Sequence, residues 1–153
     1  MDASAITVKR VPDIAAGQLF YMAEGWWLKA VTPGDNPVHG AMCVLGPHQG
    51  QWDSTAQELV VTISDGWEWF ADIPAPITPR DGIAPAGSLG MMAETRLIVG
   101  IQCAIRLDQA TLHFVQGAVK ALHFPSWKAM VRRLDDGKNA DELFKVVDAD
   151  RAQ

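Results

Sequence analysis

Short runs of mainly apolar residues, separated by turn residues, recur along the first half of the chain, and this pattern predicts β-strands. The segments 17–22 and 26–31 are rich in aromatic and aliphatic residues, and Ala23-Glu24-Gly25 separates them. A glycine in a short connection between two such runs is typical of a β-hairpin. Further strands are predicted at 41–45, 57–64 and 67–70.

The middle of the chain changes character between Ile73 and Gly90, where prolines and glycines accumulate. Such a run excludes a helix or a central strand, so 73–90 is predicted to be a long surface loop. The segment 96–107 that follows is apolar and rich in β-branched residues. Its length would also allow a helix, but its composition favours a strand.

The last third of the chain shows apolar residues at helical spacing. Leu112, Val115, Val119 and Leu122 predict a first amphipathic helix, and Trp127, Met130, Val131 and Leu134 predict a second. The segment 139–142 carries Asn at its start and Glu three positions later, a capping-box arrangement that predicts a third helix.

These elements predict an α+β protein that forms a single domain over residues 1–153. Residues 1–107 are expected to form an antiparallel β-sheet or a small, partly open barrel, and residues 108–150 to be mainly helical, with two to three amphipathic helices. The pattern shows no internal repeat.

Charge and composition narrow the class of function. The chain has 153 residues, with 13 Lys and Arg against 18 Asp and Glu, for a net charge of −5. This balance argues against a nucleic-acid partner, which normally faces a basic patch. The N-terminal residues do not follow the order of a secretory signal, and the apolar run 97–105 is too short to span a bilayer. We therefore expect a cytoplasmic protein without membrane contact.

Candidate chemistry is sparse, and no catalytic residue, metal ligand set or cofactor is predicted. No phosphate-binding glycine loop, serine-nucleophile motif or zinc-protease motif is present. His39, Cys43 and His48 lie near one another in sequence but lack the close paired spacing of metal sites. Whether these three converge in space is left open by the sequence. Cys43 and Cys103 have mostly apolar neighbours and are expected to be buried, reduced thiols.

Tryptophan is the one anomaly of composition, with six residues beside a single tyrosine. On a strand, Trp26 and Trp27 must point to opposite faces, so one of them is free to leave the core. Trp67 and Trp69 share a face and are spaced about 7 Å apart along a strand. They provide either a stacking platform for a ligand or the inner face of the sheet. Trp26, Trp67 and Trp69 are therefore the candidate binding residues.

The segments 57–66 and 79–87 resemble the paired strand-and-turn segments of cupin barrels. The two close histidines that this family places upstream of the equivalent of Glu58 are absent, and only His48 lies in the region. The position of the family's later histidine falls near Gly90, which cannot bind a metal. The resemblance therefore implies a barrel without the usual metal chemistry.

Two functions follow as expectations. The first is a non-catalytic binding or assembly protein that acts through contacts with a protein partner or through self-association, as adaptors, regulators, immunity proteins and phage-particle components do. The alternative is a small-molecule-binding, cupin-like β-barrel, with or without enzymatic activity, with Trp67, Trp69 and the loop 73–90 at its mouth.

Overall fold

A computed structural model describes residues 2–54, 58–74, 78–135, 137 and 139–147. Among the described residues, strands account for 54% and helical residues for 4%, and no helix has seven or more residues. Two short 3₁₀ turns lie at Ala3–Ala5 and Val11–Asp13. The strands are β1 (Ile6–Arg10), β2 (Leu19–Met22), β3 (Gly25–Val31), β4 (His39–Leu45), β5 (Trp52–Ser54), β6 (Leu59–Ile63), β7 (Trp67–Asp72), β8 (Leu89–Met92), β9 (Thr95–Gly100), β10 (Cys103–Arg106), β11 (Thr111–Phe114), β12 (Leu122–Phe124), β13 (Trp127–Arg133) and β14 (Ala140–Val146).

The α+β prediction is therefore wrong, because the expected C-terminal helices are strands. Leu112 is buried in β11 and Val119 is buried in a loop, whereas Val115 and Leu122 are exposed. Their helical spacing arises from a path that crosses a strand, a loop and a second strand. Apolar residues spaced three or four apart are compatible with such a path, so the spacing alone did not specify a helix.

The two last predicted helices are β13 and β14, which pair antiparallel. In β13 the buried residues are Trp127, Ala129 and Val131, which follow the period of two expected for a strand. Phe144 and Val146 alternate in the same way in β14. Ala129 is small and was not counted among the large apolar residues, whereas Met130 was. The large apolar residues of this segment therefore follow Trp127 at spacings of three and four, as in a helix, although the buried residues have a period of two.

Individual strands predicted in the first half are present, but the expected separate antiparallel sheet or partly open barrel over residues 1–107 is wrong, because these strands share one mixed sheet with strands from the C-terminal part. The expected hairpin at 17–31 is β2 and β3, and the expected strand at 57–64 contains β6. The segment 96–107 is extended, as favoured, but it divides into β9 and β10 around a turn. The predicted loop at 73–90 ends two residues earlier, because β8 begins at Leu89, and residues 75–77 lie outside the described residues.

The strands form two sheets. The larger sheet is mixed, because β11 runs parallel to β3 while the other pairs are antiparallel. The smaller sheet has the order β14-β13-β7. The main core packs one face of the large sheet against the small sheet, with fully buried residues such as Leu28, Ile105 and Trp127. We call this side of the large sheet the inner face and the opposite side the outer face.

The strand order shows an internal repeat that the sequence analysis missed. In one part of the large sheet β6, β2, β3, β4 and β5 are hydrogen-bonded in that order, all antiparallel. In the other part β12, β8, β9, β10 and β11 follow the same order and direction. In each part the next strand, β7 or β13, crosses to the small sheet, where the two pair. We call residues 17–72 repeat A and residues 87–133 repeat B.

Sequence and hydrogen bonding support the repeat at an offset of 70 positions. Gly17 N donates to the Lys29 carbonyl at 2.7 Å, and Gly87 N donates to the Val99 carbonyl at 2.8 Å. Both glycines have a positive φ, +93° and +91°, which side chains disfavour. Identical residues occur at Ala16/Ala86, Gly17/Gly87, Leu19/Leu89, Met22/Met92, Ala23/Ala93 and Glu24/Glu94.

The described residues contain no helix that is long and apolar enough to cross a bilayer.

Candidate functional site

The outer face of repeat A is closed by a second core. Phe20 and Trp27 are 1% and 2% exposed and pack with the segment around Val11 and Ile14. The indole Nε1 of Trp27 donates a hydrogen bond to the Met22 carbonyl at 2.9 Å, which satisfies its polar edge. Lys29 is buried on the same face, and its Nζ donates to the Val11 carbonyl at 2.8 Å. These buried side chains therefore fill the outer face of repeat A where they pack.

The outer face of repeat B carries an open cleft instead. Its volume is about 490 Å³, within the range of ligand pockets. We call it the outer cleft. Its lining is mainly apolar and includes Met92, Leu97, Ala104, Arg106, His113 and Val119.

Two differences between the repeats lie at or beside the cleft. Leu97, which lines the cleft, occupies the position of Trp27, and the buried Gly90, next to Leu97, occupies the position of Phe20. A Cβ at Gly90 would make only ordinary contacts with Val99 and Leu97, at 3.4 and 3.6 Å, so steric crowding does not require glycine there. Repeat B thus lacks the two aromatic rings that fill the same place in repeat A.

The polar groups of the outer cleft are few. Arg106 in repeat B is equivalent to Cys43 in repeat A. Arg106 pairs with Leu97 and Cys43 pairs with Trp27, and Leu97 and Trp27 occupy equivalent positions. The Arg106 guanidinium binds Asp108 at 3.0 Å and donates to Thr95 Oγ1 at 3.4 Å. His113 Nε2 lies 3.0 Å from Thr111 Oγ1. An apolar floor with one cation at its edge suits binding.

The predicted binding residue Trp26 lies on the inner side of the molecule. Its ring stacks on Phe144 with centroids 5.5 Å apart, and Tyr21 meets it edge-on at the same distance. Trp26 is half-buried against the main core. These contacts join the large sheet to the small sheet, since Phe144 belongs to β14.

Trp67 and Trp69 share a face, as predicted, and both are half-buried against the main core. The Arg133 guanidinium lies 5.5 Å from the Trp67 ring, and Trp69 Nε1 donates to the Gly17 carbonyl at 2.8 Å. In repeat B, Trp127 makes the equivalent bond to the Gly87 carbonyl at 2.8 Å. Trp69 also lines a smaller cleft of about 280 Å³ with Arg96. These contacts give the candidate tryptophans packing roles, and their role in recognition stays a prediction.

His39, Cys43 and His48 do not form a site in the described part of the chain. His39 and His48 are exposed, whereas Cys43 is buried in the outer core of repeat A. The His48 ring lies 6.3 Å from the Trp27 ring. Within the described ranges, no three His, Cys, Asp or Glu side chains are grouped so that they would hold a metal ion.

Both cysteines are free and buried, as expected. Burial raises the pKa of each thiol, Cys43 and Cys103, to about 11. A thiol is reactive as the thiolate, so neither cysteine is a nucleophile at neutral pH.

Sequence reasoning missed the residues that shape the outer cleft. Gly90 and Leu97 are unremarkable in their own strands, and His113 was placed on the polar face of a helix. The signal that identifies them is the difference between the two repeats, which appears only when 17–30 is aligned with 87–100.

Comparison with protein-family models, with curated proteins and with solved structures finds no match to this chain. The comparisons therefore assign no family, and they lend no support to the cupin resemblance.

Proposed function

We propose that this is a non-catalytic binding protein that contacts a protein partner through the outer face of repeat B. The observation that carries the proposal is the difference between two equivalent units. One unit fills its outer face with its own aromatic side chains, whereas the other leaves a cleft of about 490 Å³. Contiguous exposed apolar surface on a soluble protein marks interaction sites, so an occupant from outside explains the cleft.

Exposed apolar residues around the outer cleft support a protein partner. Met92 and Val115, which line it, are 56% and 36% exposed. A neighbouring depression shares Val119 with the cleft and includes Ile83 and Ile101, which are 64% and 56% exposed. Together these residues form an apolar surface that extends beyond the cleft, as interfaces with a buried central pocket do.

Binding of a free small molecule is the second candidate. Its support is the volume and lining of the outer cleft, which match those of small-molecule pockets. The exposed apolar residues outside the cleft would have no role in that case, and for this reason we place the protein partner first.

The test is affinity capture with two matched variants. Gly90→Phe adds, next to the cleft-lining Leu97, the ring that repeat A has at that position. Leu59→Ser alters an exposed apolar residue, 67% exposed, on the β1–β6 side of repeat A. We expect the wild type and Leu59→Ser to retain a protein from an extract of the source cells that Gly90→Phe does not retain. Equal capture by all three proteins would contradict the proposal.

A further inference from the structure

We propose that the outer cleft receives a tryptophan side chain of the protein partner, with an acidic residue beside it in the partner's sequence. This inference rests on the proposed function and specifies its ligand. The shape, the hydrogen-bond acceptors and the charge of the outer cleft each favour this occupant.

The shape of the occupant follows from repeat A. There the equivalent space holds the rings of Phe20 and Trp27, both almost fully buried. The strand pairing around it is the same in both repeats, since the hairpins pair in the same register, Leu19 with Leu28 and Leu89 with Ile98. A space with the same frame and without the rings fits a planar aromatic group. Tryptophan is also among the residues most enriched at the centres of interfaces.

Hydrogen bonding favours indole over a phenyl ring. In repeat A the indole N–H donates to the carbonyl of Met22, the residue before the hairpin turn. Met92 holds the same place in repeat B, between β8 and its turn, and lines the outer cleft. A carbonyl oxygen has two lone pairs, so the Met92 carbonyl offers the acceptor that an inserted indole requires.

Charge supplies the acidic neighbour. At the position where repeat A has the neutral Cys43, repeat B has Arg106 at the edge of the cleft. Its ion pair with Asp108 is partly exposed, with 34% and 51% of the two side chains accessible. Exposed pairs of this kind contribute little, and a guanidinium has five N–H donors, so Arg106 has capacity for a second carboxylate. A cation beside an apolar cleft attracts an acidic residue of the partner segment.

The experiment uses peptide probes and the complete chain. The main probe is an acetylated and amidated pentapeptide with the sequence Gly-Glu-Trp-Glu-Gly. Three matched probes replace both Glu by Gln, replace Trp by Leu, or methylate the indole nitrogen. Binding is followed by the backbone amide NMR signals of the protein. We expect signals of Met92, Leu97 and Ala104 to shift, and affinity to fall about fivefold when the indole N–H is removed.

Variants assign each step to a residue. Gly90→Phe is expected to weaken the Glu-Trp-Glu probe at least tenfold, whereas Leu59→Ser leaves its affinity unchanged. Arg106→Gln is expected to abolish the preference for Glu over Gln while the preference for Trp over Leu persists. Equal binding of the Trp and Leu probes, shifts outside the outer cleft, or no binding of the Trp probe would overturn the inference.

Indole-3-acetate separates a free ligand from a partner side chain. If it binds the same residues more than tenfold more tightly than the pentapeptide, the inference of a partner side chain is overturned in favour of a small aromatic acid. Failure of the probes with capture still lost in Gly90→Phe would overturn this inference alone. Failure of the probes with capture unaffected by Gly90→Phe would also overturn the proposed function.

Discussion

Replacing Leu97 by tryptophan should stabilise the protein, because it places in repeat B the side chain that repeat A already has. The new indole would enter the outer cleft of about 490 Å³ and reach the Met92 carbonyl. Burial of two to three further carbon groups contributes about 0.8 kcal/mol each. The hydrogen bond adds about 1 kcal/mol, and restriction of the side chain costs about 1 kcal/mol. The expected gain is about 2 kcal/mol, or a rise in Tm of about 4–8 °C for a chain of this size.

Calorimetry or circular dichroism of Leu97→Trp measures this change, with Leu89→Trp as the matched control. Leu89 lies in the adjacent strand of the same hairpin but is 0% exposed on the inner face, where no cleft is present beside it. Overpacking there should cost about 1–3 kcal/mol and lower the Tm. A fall in Tm for Leu97→Trp similar to that for Leu89→Trp would refute the equivalence of the two repeats.

Three further predictions concern repeat A and the shared frame. Trp27→Leu should lower the unfolding free energy by about 3 kcal/mol in guanidinium titrations, because it opens a cavity and leaves the Met22 carbonyl without its indole donor; a loss below 1 kcal/mol would contradict this. Trp127→Phe removes the hydrogen bond to the Gly87 carbonyl in the buried core and should cost about 2 kcal/mol, whereas Trp69→Phe, at a half-buried position that water reaches, should cost about 1 kcal/mol; the reverse order would argue against the burial assigned to them. Burial lowers the pKa of Lys29 below its ordinary 10.5, so the unfolded chain binds more protons and the unfolding free energy should rise with pH until 10.5; Lys29→Met should flatten that rise in urea titrations, and an unchanged slope would count against it.

The strands of the first half were predictable because each is a short, separate apolar run bounded by turn residues. The strand β6, with its sequence Leu-Val-Val-Thr-Ile, shows this directly. The C-terminal strands were not predictable in the same way. In β13 one member of the buried set is Ala129, and in 108–122 two buried residues, Leu112 and Val119, belong to different structural elements. The spacing of apolar residues along the chain does not show where one strand ends and a loop or another strand begins. The helical spacing at 108–122 therefore did not correspond to a helix.

The candidate site was beyond prediction from local pattern for a different reason. Gly90 and Leu97 lack the aromatic rings that Phe20 and Trp27 have. This difference can be recognised only when the two repeats are known to have the same strand order. The high tryptophan content pointed instead to Trp26, Trp67 and Trp69 as candidate binding residues. These residues pack against the main core, where the two sheets meet.

Site-specific photo-cross-linking shows whether the outer face of repeat B contacts a protein partner. A photoreactive amino acid is placed at Met92, 56% exposed on the outer cleft, and in a second protein at Val8, 58% exposed on β1 of the other half. The account predicts a discrete protein adduct in the source cells from position 92 and none from position 8. Absence of an adduct at position 92, or the same adduct from both positions, would contradict the claim that the outer face of repeat B is the binding surface.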